Sequence, residues 1–106
     1  MPKWTDVGSK DDFPAGAKTC LDAGGTPLVV CNLDGQMHTF ADICPHAGMP
    51  LGSGELHGKI VTCPFHGYAF NVETGKNADF PDDVPLAKFS VRTTEEGRVE
   101  VDMEAQ

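Results

Sequence analysis

The chain is built around two short boxes, Cys44-Pro45-His46 and Cys63-Pro64-Phe65-His66, with sixteen residues between them. Each box carries one thiol and one imidazole, and a proline follows each cysteine. Four such donors in two close clusters point to a metal site. Structural zinc sites usually pair cysteine with cysteine in one cluster and histidine with histidine in the other. Here both boxes are mixed, as C-x-H and C-x2-H. One residue between donors suits a loop that presents its two side chains to two different metal atoms. Two thiolates and two imidazoles, one of each per loop, suit a two-iron centre. One iron can take both sulfurs and the other both nitrogens. A zinc-stabilised interaction module is the alternative use of the same four donors.

The residues around the boxes favour loops on a β scaffold. Gly48, Pro50, Gly52 and Gly54 disfavour a regular strand or helix after the first box. They leave backbone free to approach a bound group and aim N–H groups at it. Elsewhere helical periodicity is rare and short alternating runs recur, so the fold class expected is all-β. Strands are expected over Trp4 to Val7, Ala17 to Leu21, Leu28 to Leu33 and Gln36 to Phe40. Asp22-Ala23-Gly24-Gly25 should end the second of these. Asp34-Gly35 is a hairpin signal, because both turn positions want positive φ. Glu55 to His57 should pair with Lys59 to Thr62. Tyr68, Phe70 and Val72 alternate with polar or small residues, as on a half-buried strand. Lys88 to Thr93 and Arg98 to Asp102 should form a closing hairpin with Phe89, Val91, Val99 and Val101 inside. The stretch 77–85 is polar and proline-bearing, as a surface loop is.

The two boxes, CPHAGMPL and CPFHGYAF, resemble the signature of Rieske [2Fe–2S] proteins. The resemblance implies one Rieske-type [2Fe–2S] cluster, with Cys44 and Cys63 on the inner iron and His46 and His66 on the outer iron. It implies an antiparallel β sandwich carrying a small cluster-binding subdomain. A single domain over 1–106 is expected, with the cluster-binding part at about residues 42–82. In this family a proline-containing segment covers the cluster; Pro81 is the candidate, and an ordinary surface loop is the simpler alternative. Pro45, Met49, Leu51, Pro64 and Phe65 would form an apolar collar around the imidazole edges, where an electron would enter and leave.

The ligand set has an electrical consequence. Two ferric irons, two sulfides, two thiolates and two neutral imidazoles sum to zero formal charge. Reduction then leaves a single negative charge, where an all-thiolate cluster would carry three. Potentials of such centres accordingly lie at roughly −150 to +300 mV, against about −400 mV for plant-type ferredoxins. High-potential family members carry an additional cysteine in each loop and a serine that bonds a sulfide. Those positions are Met49, Phe65 and Tyr68 here. Fewer hydrogen bonds to sulfur place the expected potential at the low end, on the order of −150 mV.

Composition narrows the setting. The formal net charge of −8, from 16 acidic and 8 basic residues, disfavours nucleic acid and anionic membranes as partners. It suits salt-sensitive docking on a basic protein face. No apolar run has the length of a membrane span, and the polar start has no signal-peptide core, so a cytoplasmic protein is expected. Cys20 and Cys31 remain after the ligands, and both are expected as buried free thiols. His38 and His57 are expected at the surface. These features resemble the soluble ferredoxins of bacterial aromatic-ring-hydroxylating dioxygenase systems. The resemblance implies an electron carrier rather than an enzyme. Its partners would be a flavin-dependent NAD(P)H reductase and the Rieske subunit of a terminal oxygenase. A tightly bound electron-transfer subunit, like the small subunit of a nitrite reductase, is the alternative.

Overall fold

The computed structural model describes residues 3–43, 51, 54–64 and 67–103. Among them, ten strands follow in chain order: β1 (Trp4–Ser9), β2 (Lys18–Ala23), β3 (Thr26–Leu33), β4 (Gln36–Ala41), β5 (Leu56–His57), β6 (Ile60–Thr62), β7 (Ala69–Asn71), β8 (Lys88–Phe89), β9 (Val91–Thr93) and β10 (Arg98–Asp102). A short 3-10 turn, Lys10–Asp12, follows β1 and is closed by reciprocal bonds between Ser9 and Asp12. The strands form three antiparallel sheets, ordered β1-β10-β9, β2-β3-β4-β8 and β5-β6-β7. This is the all-β architecture expected from the sequence.

β3 organises the packing. Leu28, Val29, Val30 and Cys31 are consecutive and all fully buried. Side chains alternate across a strand, so β3 must be covered on both faces. Val29 and Cys31 join Phe40, Val61, Phe70 and Val72 on one side. On the other, Leu28 packs with Phe89 and Val101, and Val30 with Phe13 and Val99. The four-stranded sheet is therefore the middle layer. An unbroken apolar run is what a doubly covered strand requires.

Turn chemistry sets the registers. Asp34 and Gly35 have φ of 54° and 91°, and Leu33 faces Gln36 across them. This is the two-residue turn whose twist matches its strands. The β2–β3 turn is shorter than expected. Gly24 and Gly25 take positive φ and complete it alone, so Asp22 and Ala23 remain in β2, facing Pro27 and Thr26.

Two other expectations are refined. Lys88 to Thr93 is not one strand: the chain changes sheets at Ser90, with β8 on β4 and β9 on β10. The Ser90 carbonyl accepts the Asp102 N–H at 2.9 Å at this crossing. Phe89, Val99 and Val101 are buried as expected, and Val91 is half-buried. The stretch 77–85 is also rooted in the interior. Asn77 is buried and bridges to Phe70, and its Oδ1 accepts the N–H groups of Asp79 and Phe80 at 2.9 and 3.0 Å. Pro81 beyond it is exposed and lies along a groove with Ile60, Asn71 and Thr74. Three of the ligands it was expected to cover, Cys44, His46 and His66, lie outside the described residues.

Candidate metal centre

Of the four expected ligands the structure describes Cys63. Cys44, His46 and His66 lie outside the described residues, as do Pro45, Met49 and Phe65. Among the described residues no three His, Cys, Asp or Glu side chains gather as a metal site. What is described is the frame that flanks both boxes.

The second box grows out of the β6–β7 ladder. Thr62 faces Ala69, and one residue further the Cys63 N–H donates to the Tyr68 carbonyl at 2.7 Å. The Gly67 N–H donates back to the Cys63 carbonyl at 3.0 Å. These two bonds tie Cys63 to the Gly67-Tyr68 pair on the far side of the box. Gly67 takes φ 72°, a conformation glycine adopts without the clash a Cβ would bring. Cys63 itself is buried, packed in the cluster that contains Val29, Phe40, Leu51, Val61 and Phe70. Pro64 beside it is exposed. The thiol of this box therefore belongs to the interior, and the loop leaves the core immediately after it.

The first box is framed from outside itself. Asp42 donates its N–H to the Pro27 carbonyl at 3.0 Å, which fixes it to the start of β3. Its Oδ1 accepts the Leu51 N–H at 2.7 Å. The Leu51 carbonyl in turn accepts the Gly54 N–H at 2.8 Å. Gly54 lies so close to β6 that a Cβ would overlap the Thr62 carbonyl oxygen. The Thr62 N–H donates to the Glu55 carbonyl at 3.0 Å. The segment leaving the first box is thus laid against the strand entering the second. Leu51 is fully buried in the cluster that holds Cys63, so it belongs to the core and not to an exposed collar.

Asp42 and Gly54 are the site-framing residues that the sequence does not reveal. Asp before a loop and Gly within one are generic turn signals. Their partners at Leu51 and Thr62 are set by how the two boxes' flanks pack together.

The remaining cysteines and histidines divide. Cys31 is buried, and burial pushes its thiol up to about 11. Cys20, expected inside, is exposed; it shares a face of β2 with exposed Asp22, while Ala23 on the other face is buried. His57 is exposed as expected and pairs with Glu55 Oε2 at 2.8 Å. His38 is not a surface residue. The β3–β4 register puts it opposite Cys31, half-buried, with Nδ1 3.3 Å from Lys88 Nζ. Its Nε2 is buried without a partner among the described residues. Burial first, and then the Lys88 charge, hold this imidazole below its ordinary range. Lys88 is itself lowered by burial, against an opposing pull from Glu73.

Comparison with known proteins adds to this geometry. The family model described as the Rieske [2Fe-2S] domain matches residues 3–90. Ferredoxin CarAc of Metapseudomonas resinovorans is 38% identical over 93 residues, 87% of each chain. The ferredoxin component of biphenyl 2,3-dioxygenase from Rhodococcus jostii (strain RHA1) is 36% identical over 88 residues, 83% of this chain and 82% of that protein. A solved complex of reduced oxygenase and oxidised ferredoxin in carbazole 1,9a-dioxygenase contains a chain that superposes with a TM-score of 0.87. That chain is 36% identical, and the match covers 100% of this chain and 98% of that one. Among the described residues, no helix is long and apolar enough to cross a membrane.

Proposed function

The chain belongs to the Rieske [2Fe-2S] domain family, and from that premise we propose that it is a one-electron carrier. It takes electrons from a flavin-dependent NAD(P)H reductase and delivers them to the Rieske subunit of a terminal oxygenase acting on aromatic rings. It is a cytoplasmic component of a multicomponent system and not itself an enzyme. The observation that carries this is the near full-length likeness to ferredoxin components of dioxygenases, one of them solved with its oxygenase.

The donor set fits the group that the family carries. Cys44 and Cys63 would hold one iron through sulfur, and His46 and His66 the other through nitrogen. A [2Fe–2S] cluster bound there supplies a site that accepts and releases one electron. The protein's part is to position and shield. Burial of Cys63 among Val61, Phe70 and Leu51 supports a sulfur-ligated side kept from water. Exposure of Pro64 supports a loop whose outer edge meets a partner. One domain over 1–106 is assigned, with the cluster-binding part at about 42–82. The separate β5-β6-β7 sheet within that range supports the assignment.

The test is direct. Purified holoprotein should contain two irons and two acid-labile sulfides per chain and give a Rieske-type electron paramagnetic resonance signal on reduction. It should also be reduced by a flavin reductase with NADH or NADPH and reoxidised by a Rieske oxygenase. One zinc per chain, or a four-thiolate signal, would sink the proposal.

A further inference from the structure

Two large apolar side chains on the stretch 77–85 stand in water. Phe80 is 61% exposed and Val84 55%, and Pro81 and Pro85 beside them are exposed as well. The turn that carries them is pinned at both ends. The buried Asn77 holds the N–H groups of Asp79 and Phe80. The Asp83 N–H donates to the Phe80 carbonyl at 2.9 Å, and the Leu86 N–H to the Gly75 carbonyl at 2.7 Å. Four apolar residues held together in water on an ordered turn mark a contact site.

Backbone bonds place this turn between the two boxes. On its outgoing limb the Ala78 N–H donates to the Ala69 carbonyl at 2.8 Å, one residue past Tyr68 at the end of the second box. On its return limb the Ala87 carbonyl accepts the Ala41 N–H at 2.8 Å, three residues before Cys44. Ile43, which leads from there into the first box, is itself 48% exposed. A partner seated over both boxes therefore meets the turn as well. We infer that Phe80 and Val84 form an apolar knob that docks the Rieske subunit of the terminal oxygenase, entering an apolar recess rimmed by lysine or arginine. The inference rests on the carrier function and names its contact. Asp79 and Asp82 flank the knob, are exposed and make no ion pair among the described residues. Asp83 is left out of this rim, because its Oδ1 accepts the Val84 N–H at 2.9 Å. An acidic rim on a chain of net charge −8 selects a basic partner face and opposes a second copy. The likeness to a chain from an oxygenase–ferredoxin complex favours the oxygenase over the reductase. A turn that is already pinned loses little backbone freedom on docking.

The test uses the holoprotein and the Rieske oxygenase that reoxidises it. Phe80→Ser should keep the iron and sulfide content, the reduced-state resonance and the urea midpoint, since its side chain stands in water. Its binding to the oxygenase, read by interferometry with both proteins oxidised, should weaken about tenfold or more. Phe80→Leu keeps an apolar side chain and should bind within about threefold of the original. Asp79→Asn combined with Asp82→Asn should slow association about threefold or more at low salt and flatten its salt dependence. Unchanged oxygenase binding by Phe80→Ser, or a loss confined to reduction by the flavin reductase, would overturn the inference and leave the carrier function standing. Loss of iron from Phe80→Ser would also overturn it, by showing that Phe80 shields the centre instead. If no Rieske oxygenase reoxidises the original protein, the carrier function fails and the inference falls with it.

Discussion

The carboxylate of Asp42 accepts the backbone N–H of Leu51 at 2.7 Å. These residues bracket the stretch that carries Cys44 and His46, so one hydrogen bond ties its two ends together. Asp42 is in turn held to the Pro27 carbonyl at the start of β3. The first box is thus suspended from the middle sheet.

Asp42→Ala leaves the N–H of the buried Leu51 without its acceptor. A loss of about 1–3 kcal/mol is expected from such an orphaned donor. The cluster should also bleach faster when the holoprotein is exposed to an iron chelator. Asp42→Asn keeps an oxygen acceptor and should bleach close to the original rate. Equal bleaching of the Ala and Asn variants would show that the bond to Leu51 is not what holds the loop.

Gly54→Ala tests the contact between the two boxes. The added methyl overlaps the Thr62 carbonyl oxygen, and backbone cannot yield as a flexible side chain does. Overpacking of this kind costs about 1–3 kcal/mol or more. The urea midpoint should fall, and iron content after purification should fall with it. An unchanged Gly54→Ala protein would mean that the two segments can separate freely.

His38 makes stability depend on pH. In the unfolded chain an imidazole gains its proton near 6.5; in the folded protein it does so only at lower pH. Below about 6.5 the unfolded state therefore binds more protons, and stability falls as pH drops toward the folded value. The loss levels off once the folded imidazole is also protonated. Lys88, Glu73 and Cys31 are the titratable groups that face it. His38→Gln should lose less stability than the original protein between about pH 7.5 and 5.5, read from urea midpoints. Identical losses would place the pH dependence elsewhere.

The ligands and the potential form the last prediction. His46→Ala or His66→Ala should abolish the Rieske spectrum, and a variant that keeps it is not a ligand position. The reduction potential should be on the order of −150 mV. A potential well above zero would mean that hydrogen bonds to the sulfurs are stronger than Tyr68, in place of serine, allows.

Much of the scaffold was readable locally. Asp34-Gly35 named its own turn, because two consecutive positive-φ positions admit few residues. The run Leu28 to Cys31 announced a buried strand. The change of sheet at Ser90 was not readable, since Phe89 and Val91 keep one alternation while their partners change from β4 to β10. The depth of Asn77 was hidden for a similar reason. A polar residue in a polar stretch is ordinary until its carbonyl oxygen is seen to cap two backbone N–H groups inside the fold.

The sequence alone determined the family and its cofactor and put forward the four donors as a proposal, because donor side chains at fixed spacing are a local chemical statement. Only the tertiary structure decided that Cys63 is interior, that Leu51 is core rather than collar, that Cys20 is exposed and that His38 is half-buried. Burial depends on which elements pack together, and for Cys63, Leu51 and His38 these include partners distant along the chain.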